Sequence, residues 1–72
     1  MDKRYFEFIG GSSAKFWEIG VSGNKVTVRF GRIGTDGQTQ VKPFPDKAAA
    51  TRHVEKLIAA KIGKGYAEAV AR

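Results

Sequence analysis

The first half of the chain alternates apolar and polar residues with the period of two that is typical of β-strands. The alternation is strictest over residues 25–33, where Val26, Val28 and Phe30 oppose Lys25, Thr27 and Arg29. It predicts a strand with one buried face and one solvent-facing face. Similar runs predict strands over residues 4–9, 14–21 and 38–44, the last mostly polar. Glycine-containing segments between these runs predict turns.

The period changes after residue 45 to that of a helix. Asp46 is a suitable N-cap, because its carboxylate can accept hydrogen bonds from the free amides of a first helical turn. Apolar residues then recur at spacings of three and four, namely Ala50, Val54, Leu57, Ile58 and Ile62. This spacing places them on one helical face. Gly63 is a natural residue to follow the helix, and Lys61 suits its negative end.

These elements predict an α+β fold, with a small antiparallel sheet of about four strands and one C-terminal helix packed on its apolar face. A length of 72 residues suits a single domain over residues 1–72. The polar fourth strand is predicted at an edge, which leaves room for pairing with another chain. Residues 64–72 fit a short strand, a helical turn or a frayed end. A monomer is the default expectation.

Composition narrows the possible settings of the domain. The chain has no cysteine, which excludes a disulfide framework and a thiolate metal site. It has no apolar run of the roughly 18 residues that a membrane span needs. Its charged first residues lack the apolar core of a signal peptide. We therefore expect a soluble cytoplasmic protein that does not enter a membrane.

The residue types needed for catalysis do not cluster in the sequence. His53 is the single histidine, and a metal site needs three or four ligands. The serines of the predicted turns have only this histidine as a possible base, and the seven carboxylates are scattered. The sequence thus predicts a non-enzymatic domain without a metal or other cofactor, in which His53 is a partly buried helix residue.

The charge balance indicates an anionic partner. Thirteen Lys and Arg against seven Asp and Glu give a net charge of +6 and a pI of about 10.0. A pI above about 9 is typical of domains that bind nucleic acid. The same charge would also suit an acidic protein partner or an anionic membrane surface.

The segment Arg29-Phe30-Gly31-Arg32-Ile33-Gly34 carries the candidate binding residues. A guanidinium can bind phosphate through two hydrogen bonds, and an aromatic ring can stack on a base or sugar. Gly31 would allow the close approach of a backbone or ligand, or mark a bulge. The alternative for Phe30 follows from the strand alternation, which directs its ring into the core.

Further phosphate contacts are predicted beside this segment. Lys25 and Arg29 share the solvent-facing side of their strand, and Lys42 comes from the strand expected to pair beside it. The alternative is an ordinary solvated sheet face. Tyr66 could stack on nucleic acid, or it could close the helix onto the sheet.

Four segments of the chain together resemble the WGR domain family. They are residues 15–19, residues 26–34 with Arg29-Phe30-Gly31-Arg32, the turn Gly37-Gln38, and the helix-terminal Lys61-Ile62-Gly63-Lys64-Gly65-Tyr66. The resemblance covers roughly residues 4–66. It departs from the family at Phe30, which stands where the signature tryptophan belongs, so the ring is kept but the indole N–H donor is lost.

The resemblance implies a function as well as a fold. The family occurs in poly(ADP-ribose) polymerases that respond to DNA breaks, as a non-catalytic reader of DNA ends, and in bacterial proteins. Carried over, Phe30 would meet a sugar or base, and Arg32 would contact phosphate or a partner. The predicted function is therefore a nucleic-acid-binding module for DNA, with RNA possible. The alternative is a protein-interaction module that docks an acidic partner on residues 29–33.

Overall fold

The computed structural model describes residues 3–69 and confirms the α+β class. The elements in chain order are β1 Arg4–Gly10, β2 Ser13–Ser22, β3 Lys25–Arg32, β4 Gln38–Pro43, α1 Lys47–Gly63 and β5 Ala67–Ala69. The first four strands form an antiparallel meander, because each is joined to the next by a short turn. The predicted strands over the first half of the chain are all present, with bounds that differ by one residue.

The sheet has five strands in the order β4-β3-β2-β1-β5 rather than the predicted four. The fifth strand pairs antiparallel with β1, with Tyr5 opposite Ala69. Arg4 donates hydrogen bonds of 2.9 and 2.7 Å to the Glu68 carboxylate, which holds the pKa of Glu68 below its usual value. Ala67–Ala69 lacks the β-branched residues that favour strands, so its conformation depends on this pairing.

The ends of α1 are fixed by backbone and side-chain hydrogen bonds. Asp46 is the predicted N-cap, and its Oδ1 accepts a 2.8 Å hydrogen bond from the Ala49 amide. The predicted C-terminus is two residues too early, because Gly63 is still helical, Lys64 is the cap and Gly65 follows it. The left-handed residue is Gly65, with φ of 102°, since glycine adopts this conformation without a Cβ clash.

The core lies between α1 and one face of the sheet. Its buried residues are Phe6, Trp17, Ile19, Val21 and Val26 from the sheet and Ala50, Val54 and Ile58 from the helix. Each such apolar side chain contributes about 1.5–3 kcal/mol on burial. Ile62 departs from the predicted helical face, since it is 54% exposed one turn beyond Ile58.

The edge position of β4 agrees with the prediction from its polar sequence. All six of its residues are exposed, and it pairs only with β3 within the described part of the chain. Pro43 at its end lacks an amide donor, which limits pairing of this edge with another strand.

Candidate nucleic-acid interface

A cleft of about 700 Å³ opens between α1 and the sheet face that the helix covers. The half-buried rings of Phe30, His53 and Tyr66 line it, and the buried Trp17 forms part of its floor. Tyr66, three residues after the end of α1, packs on Phe8 with 5.5 Å between ring centroids and so anchors the helix end to β1.

Four cationic side chains line the same cleft: Lys15, Arg32, Lys42 and Lys61. They come from β2, β3, β4 and the last turn of α1, so the whole fold contributes to the cluster. Over residues 3–69, no Asp or Glu lines the cleft, and none of the four cations forms an ion pair. We call these four residues the cationic cluster.

Two members of the cationic cluster lie directly opposite each other. Lys15 on β2 is the cross-strand partner of Arg32 on β3. Like charges in this relation destabilise a sheet, by up to about 1 kcal/mol. The free chain therefore carries an electrostatic cost at this position, and a bound anion would relieve it.

Lys61 is the most enclosed cation of the cluster. Its Nζ lies 5.5 Å from the Trp17 ring centroid and 5.2 Å from that of Tyr66. Burial lowers the pKa of Lys61 below its usual value, and the positive charges of Lys64 and Lys15 lower it further. An ammonium in such surroundings gains more from a nearby anion than a solvated one does.

Arg32 is presented by a fixed backbone. Its carbonyl oxygen accepts a 3.1 Å hydrogen bond from the Thr35 amide and a 2.7 Å bond from Thr35 Oγ1. These bonds close the turn that follows β3, while the side chain of Arg32 remains exposed at the mouth of the cleft. The predicted guanidinium is thus available for a ligand.

Phe30 combines the two interpretations that the sequence allowed. Its ring packs against the core beside Trp17, its cross-strand partner, and it is only half-buried because it also lines the cleft. A ring held in this way can contact a ligand without losing its packing.

Five of the six predicted site residues have side chains, and these are divided between the two faces of the sheet; the sixth, Gly31, has none. Phe30, Arg32 and Lys42 lie on the cleft side, whereas Arg29 and Lys25 lie on the opposite side, as the strand alternation requires. Lys42 belongs with the cleft because it is the cross-strand partner of the buried Val26.

Arg29 is engaged within the chain. Its Nε donates a 3.1 Å hydrogen bond to Glu18 Oε1, and its Nη1 donates a 2.9 Å bond to the Asp36 carbonyl oxygen. Its guanidinium also lies 4.5 Å from the centroid of the Phe16 ring. Arg29 is therefore held on the open face by a carboxylate, a carbonyl oxygen and an aromatic ring, and its contact with phosphate stays a prediction.

Gly31 has a local structural role that explains its lack of a side chain. A Cβ at this position would lie 2.8 Å from the Gly37 Cα, so the turn after β3 could not cross the strand. Gly37 is equally constrained, since its φ is 70° and a Cβ would meet the Phe30 carbonyl oxygen and lie 2.7 Å from Phe16 Cζ. The backbone that approaches Gly31 is thus the chain's own.

Sequence reasoning missed Lys15 and Lys61 as site residues. The signal for Lys15 was the alignment of the β2–β3 hairpin, which sets it opposite Arg32. Lys61 was assigned to the helix dipole and to the helix-terminal motif, and nothing in the sequence indicates that the last turn of the helix faces the end of β2.

Within residues 3–69, no group of three or more His, Cys, Asp or Glu residues is positioned to hold a metal ion. The described helix is also too short and too polar to cross a bilayer. The chemistry of the cleft is therefore described by its cations and rings.

The sequence of this chain matches the family model of the WGR domain over residues 2–72. The chain belongs to the WGR domain family. A crystal structure of a Bacteroides fragilis protein contains a WGR-like region with 49% identity and a TM-score of 0.94, covering 96% of this chain and 20% of that one.

Two Escherichia coli K12 proteins are also similar to this WGR domain. Protein YehF is 43% identical over 65 residues, which is 90% of this chain and 24% of YehF. Protein YfeS is 38% identical over 66 residues, which is 92% of this chain and 27% of YfeS. The WGR domain described here thus spans about a fifth to a quarter of the length of the relatives it matches.

Proposed function

We propose that this WGR domain is a non-catalytic nucleic-acid-binding module that holds DNA through the cleft. The observation that carries the proposal is the convergence of four cations without ion-pair partners on an aromatic cleft, with no carboxylate lining it within residues 3–69. A polynucleotide matches this surface, because it combines regularly spaced phosphates with flat bases and sugars.

The proposed roles follow from position. Arg32 and Lys15 at the mouth of the cleft contact phosphate, and Lys42 and Lys61 extend the contact to either side. Phe30 stacks on a terminal base or sugar. Among the described residues, no helix presents base-reading side chains to a groove, so binding is expected to depend little on sequence.

The direct test is a titration of fluorescent DNA with the chain. The ligands are a blunt 5′-phosphorylated duplex, a dumbbell in which loops close both ends of the same duplex, a single DNA strand and an RNA strand of the same sequence. Four phosphate contacts predict a log–log salt slope of about −3 to −4, or about a hundredfold loss of affinity between about 50 and 200 mM salt. Absence of binding at the lower salt concentration would reject the proposal.

The arms of the titration separate its finer parts. A preference for the open duplex over the dumbbell supports recognition of DNA ends. Equal binding of the two would mean that the domain contacts the DNA backbone and does not recognise ends. Arg32→Ala is expected to weaken binding about 10- to 150-fold, since a hydrogen bond to a charged group contributes about 1.5–3 kcal/mol. Lys47→Ala on the outer face of α1 is the matched control.

The alternative proposal is a module that docks an acidic protein on residues 29–33. It predicts that Arg32→Ala leaves DNA binding unchanged. The engagement of Arg29 by Glu18 and Asp36 gives this alternative less support, because that guanidinium already has acceptors.

A further inference from the structure

The sheet face that α1 leaves uncovered carries a groove of its own. It has a volume of about 790 Å³ and lies between β1 on one side and the turn over residues 33–37 with β4 on the other. We call it the open-face groove. Its lining includes Tyr5, Glu7, Phe16, Arg29 and Asp36.

The floor of the open-face groove is a layered stack. Phe16 is only 3% exposed, although it lies on the face without a helix. Tyr5 stacks on one side of Phe16 with 5.9 Å between centroids and 13° between planes, and the Arg29 guanidinium lies 4.5 Å from the same ring. Gly37 closes over the ring edge. This packing holds the aromatic and cationic groups in fixed positions.

The charge of the groove is opposite to that of the whole chain. Arg29 is the one cation that lines it among the described residues, and Glu18 neutralises that cation at 3.1 Å. Glu7 and Asp36 then remain as carboxylates at its two sides, and within residues 3–69 neither forms an ion pair. A chain of net charge +6 thus presents a locally acidic groove.

We propose that the open-face groove docks an arginine or lysine side chain from an exposed basic segment of a partner protein. The carboxylates of Glu7 and Asp36, on the two sides of the groove, supply the complementary charge for a guanidinium or an ammonium group. This inference concerns a different face from the cleft and does not rest on nucleic-acid binding.

The test is a backbone-amide NMR titration of the isotope-labelled chain with short glycine–serine peptides. One peptide carries two arginines, a second carries citrulline in their place, and a third carries glutamate. Citrulline has nearly the shape of arginine without its charge. The arginine peptide is expected to shift the amides of residues 5–7 and 35–39 and to bind at least fivefold more tightly than the citrulline peptide.

Conservative substitutions locate the binding. Glu7→Gln keeps an acceptor for the Tyr5 hydroxyl, and Asp36→Asn keeps the carbonyl that Arg29 contacts, so both variants retain the described hydrogen bonds. Each is expected to weaken the arginine peptide about two- to fivefold, and the double variant about tenfold. Glu55→Gln, on the exposed side of α1, is the matched loss of one carboxylate and is expected to change nothing.

Four results would overturn the proposal. They are equal affinities for the arginine and citrulline peptides, shifts that map to the cleft or spread over the surface, tighter binding of the glutamate peptide, and concentration-dependent shifts at the groove without peptide, which would identify a second copy of the chain as its occupant. The double variant is expected to bind DNA as the unchanged chain does, so the two proposals can fail independently.

Discussion

The two faces of the sheet differ in whether their cationic side chains have partners within the chain. On the face that α1 covers, Lys15 and Arg32 lie opposite each other without a carboxylate partner among the described residues. On the open face, Arg29 has Glu18, a carbonyl oxygen and an aromatic ring. The difference teaches that net charge alone does not locate a binding surface. Two neighbouring cations without carboxylate partners indicate a candidate binding surface better than the net charge does.

The largest effect is expected from Phe16→Ala, which tests whether the open face has a core of its own. Removing a buried phenylalanine ring costs about 3–5 kcal/mol of unfolding free energy, because it leaves a cavity. Urea denaturation of the variant measures this cost. Phe16 lies on the face without a helix, and a solvent-facing position there would lose less than about 0.5 kcal/mol. A loss that small would mean that the open face is not packed as described.

The second prediction tests whether DNA binding depends on the cationic cluster or on the net charge of the chain. Lys15→Gln combined with Lys42→Gln is expected to reduce DNA affinity about a hundredfold at low salt and to lower the salt slope by about two. The control pair Lys25→Gln and Lys47→Gln removes the same charge from other surfaces. Fluorescence titration of both variants gives the answer.

Equal losses in the two pairs would mean that binding follows net charge rather than the cleft. Replacing Lys15 removes a like charge opposite Arg32, but it also removes the position of the Lys15 Nζ 5.5 Å from the Phe8 ring centroid, and replacing Lys42 removes a similar contact with Phe44. The free energy of unfolding of that variant is therefore expected to change by less than about 1 kcal/mol, which urea denaturation measures.

The third prediction concerns the open face, where we expect a loss of stability with little change in DNA affinity. Arg29→Gln removes the ion-pair partner of Glu18, whose side chain is only 12% exposed. Leaving that carboxylate without its charge-assisted hydrogen bond is expected to lower stability by about 1–2 kcal/mol. DNA affinity is expected to change by less than about twofold, because the lost charge lies on the other face of the sheet and is largely screened by salt. A DNA defect as large as that of Arg32→Ala would show that both faces take part in binding.

The smallest effect concerns the protonation of Lys61. Its pKa is lowered in the free chain, so the folded state holds fewer protons than the unfolded state just below the usual value of 10.5. Stability linked to this group therefore increases as the pH rises through that window. A bound phosphate favours the charged ammonium, and DNA is expected to raise the pKa of Lys61. Side-chain NMR of the free and bound chain measures the shift, and an unchanged pKa would place the phosphates away from Lys61.

The sequence predicted those features that depend on neighbours along the chain. The alternation at Val26, Val28 and Phe30 located β3 and its buried side, and Asp46 located the start of α1. These signals are local because strand period and helix capping involve residues only a few positions apart.

What the sequence did not predict depends on contacts between distant segments. Ala67–Ala69 becomes a strand only beside β1, and Phe16 is buried only because the turn at Gly37 crosses it. The cationic cluster likewise needs four separate elements to meet. The predicted site therefore joined Arg29 to Arg32 because they are close in sequence, although the sheet separates them.

The pairing of β1 with β5 also sets the distance between the two points at which this domain could be connected to a larger protein. Tyr5 and Ala69 are cross-strand partners, so the described chain enters and leaves the fold at adjacent points on the same edge. A domain of this kind can be inserted into a loop of a larger protein without spreading the loop open. If a protein that carried the domain in this way pulled the two attachment points apart, the β1–β5 pairs would separate one residue pair at a time. The short β5 would detach first, and the packing of Tyr66 on Phe8 would still hold the helix end against β1.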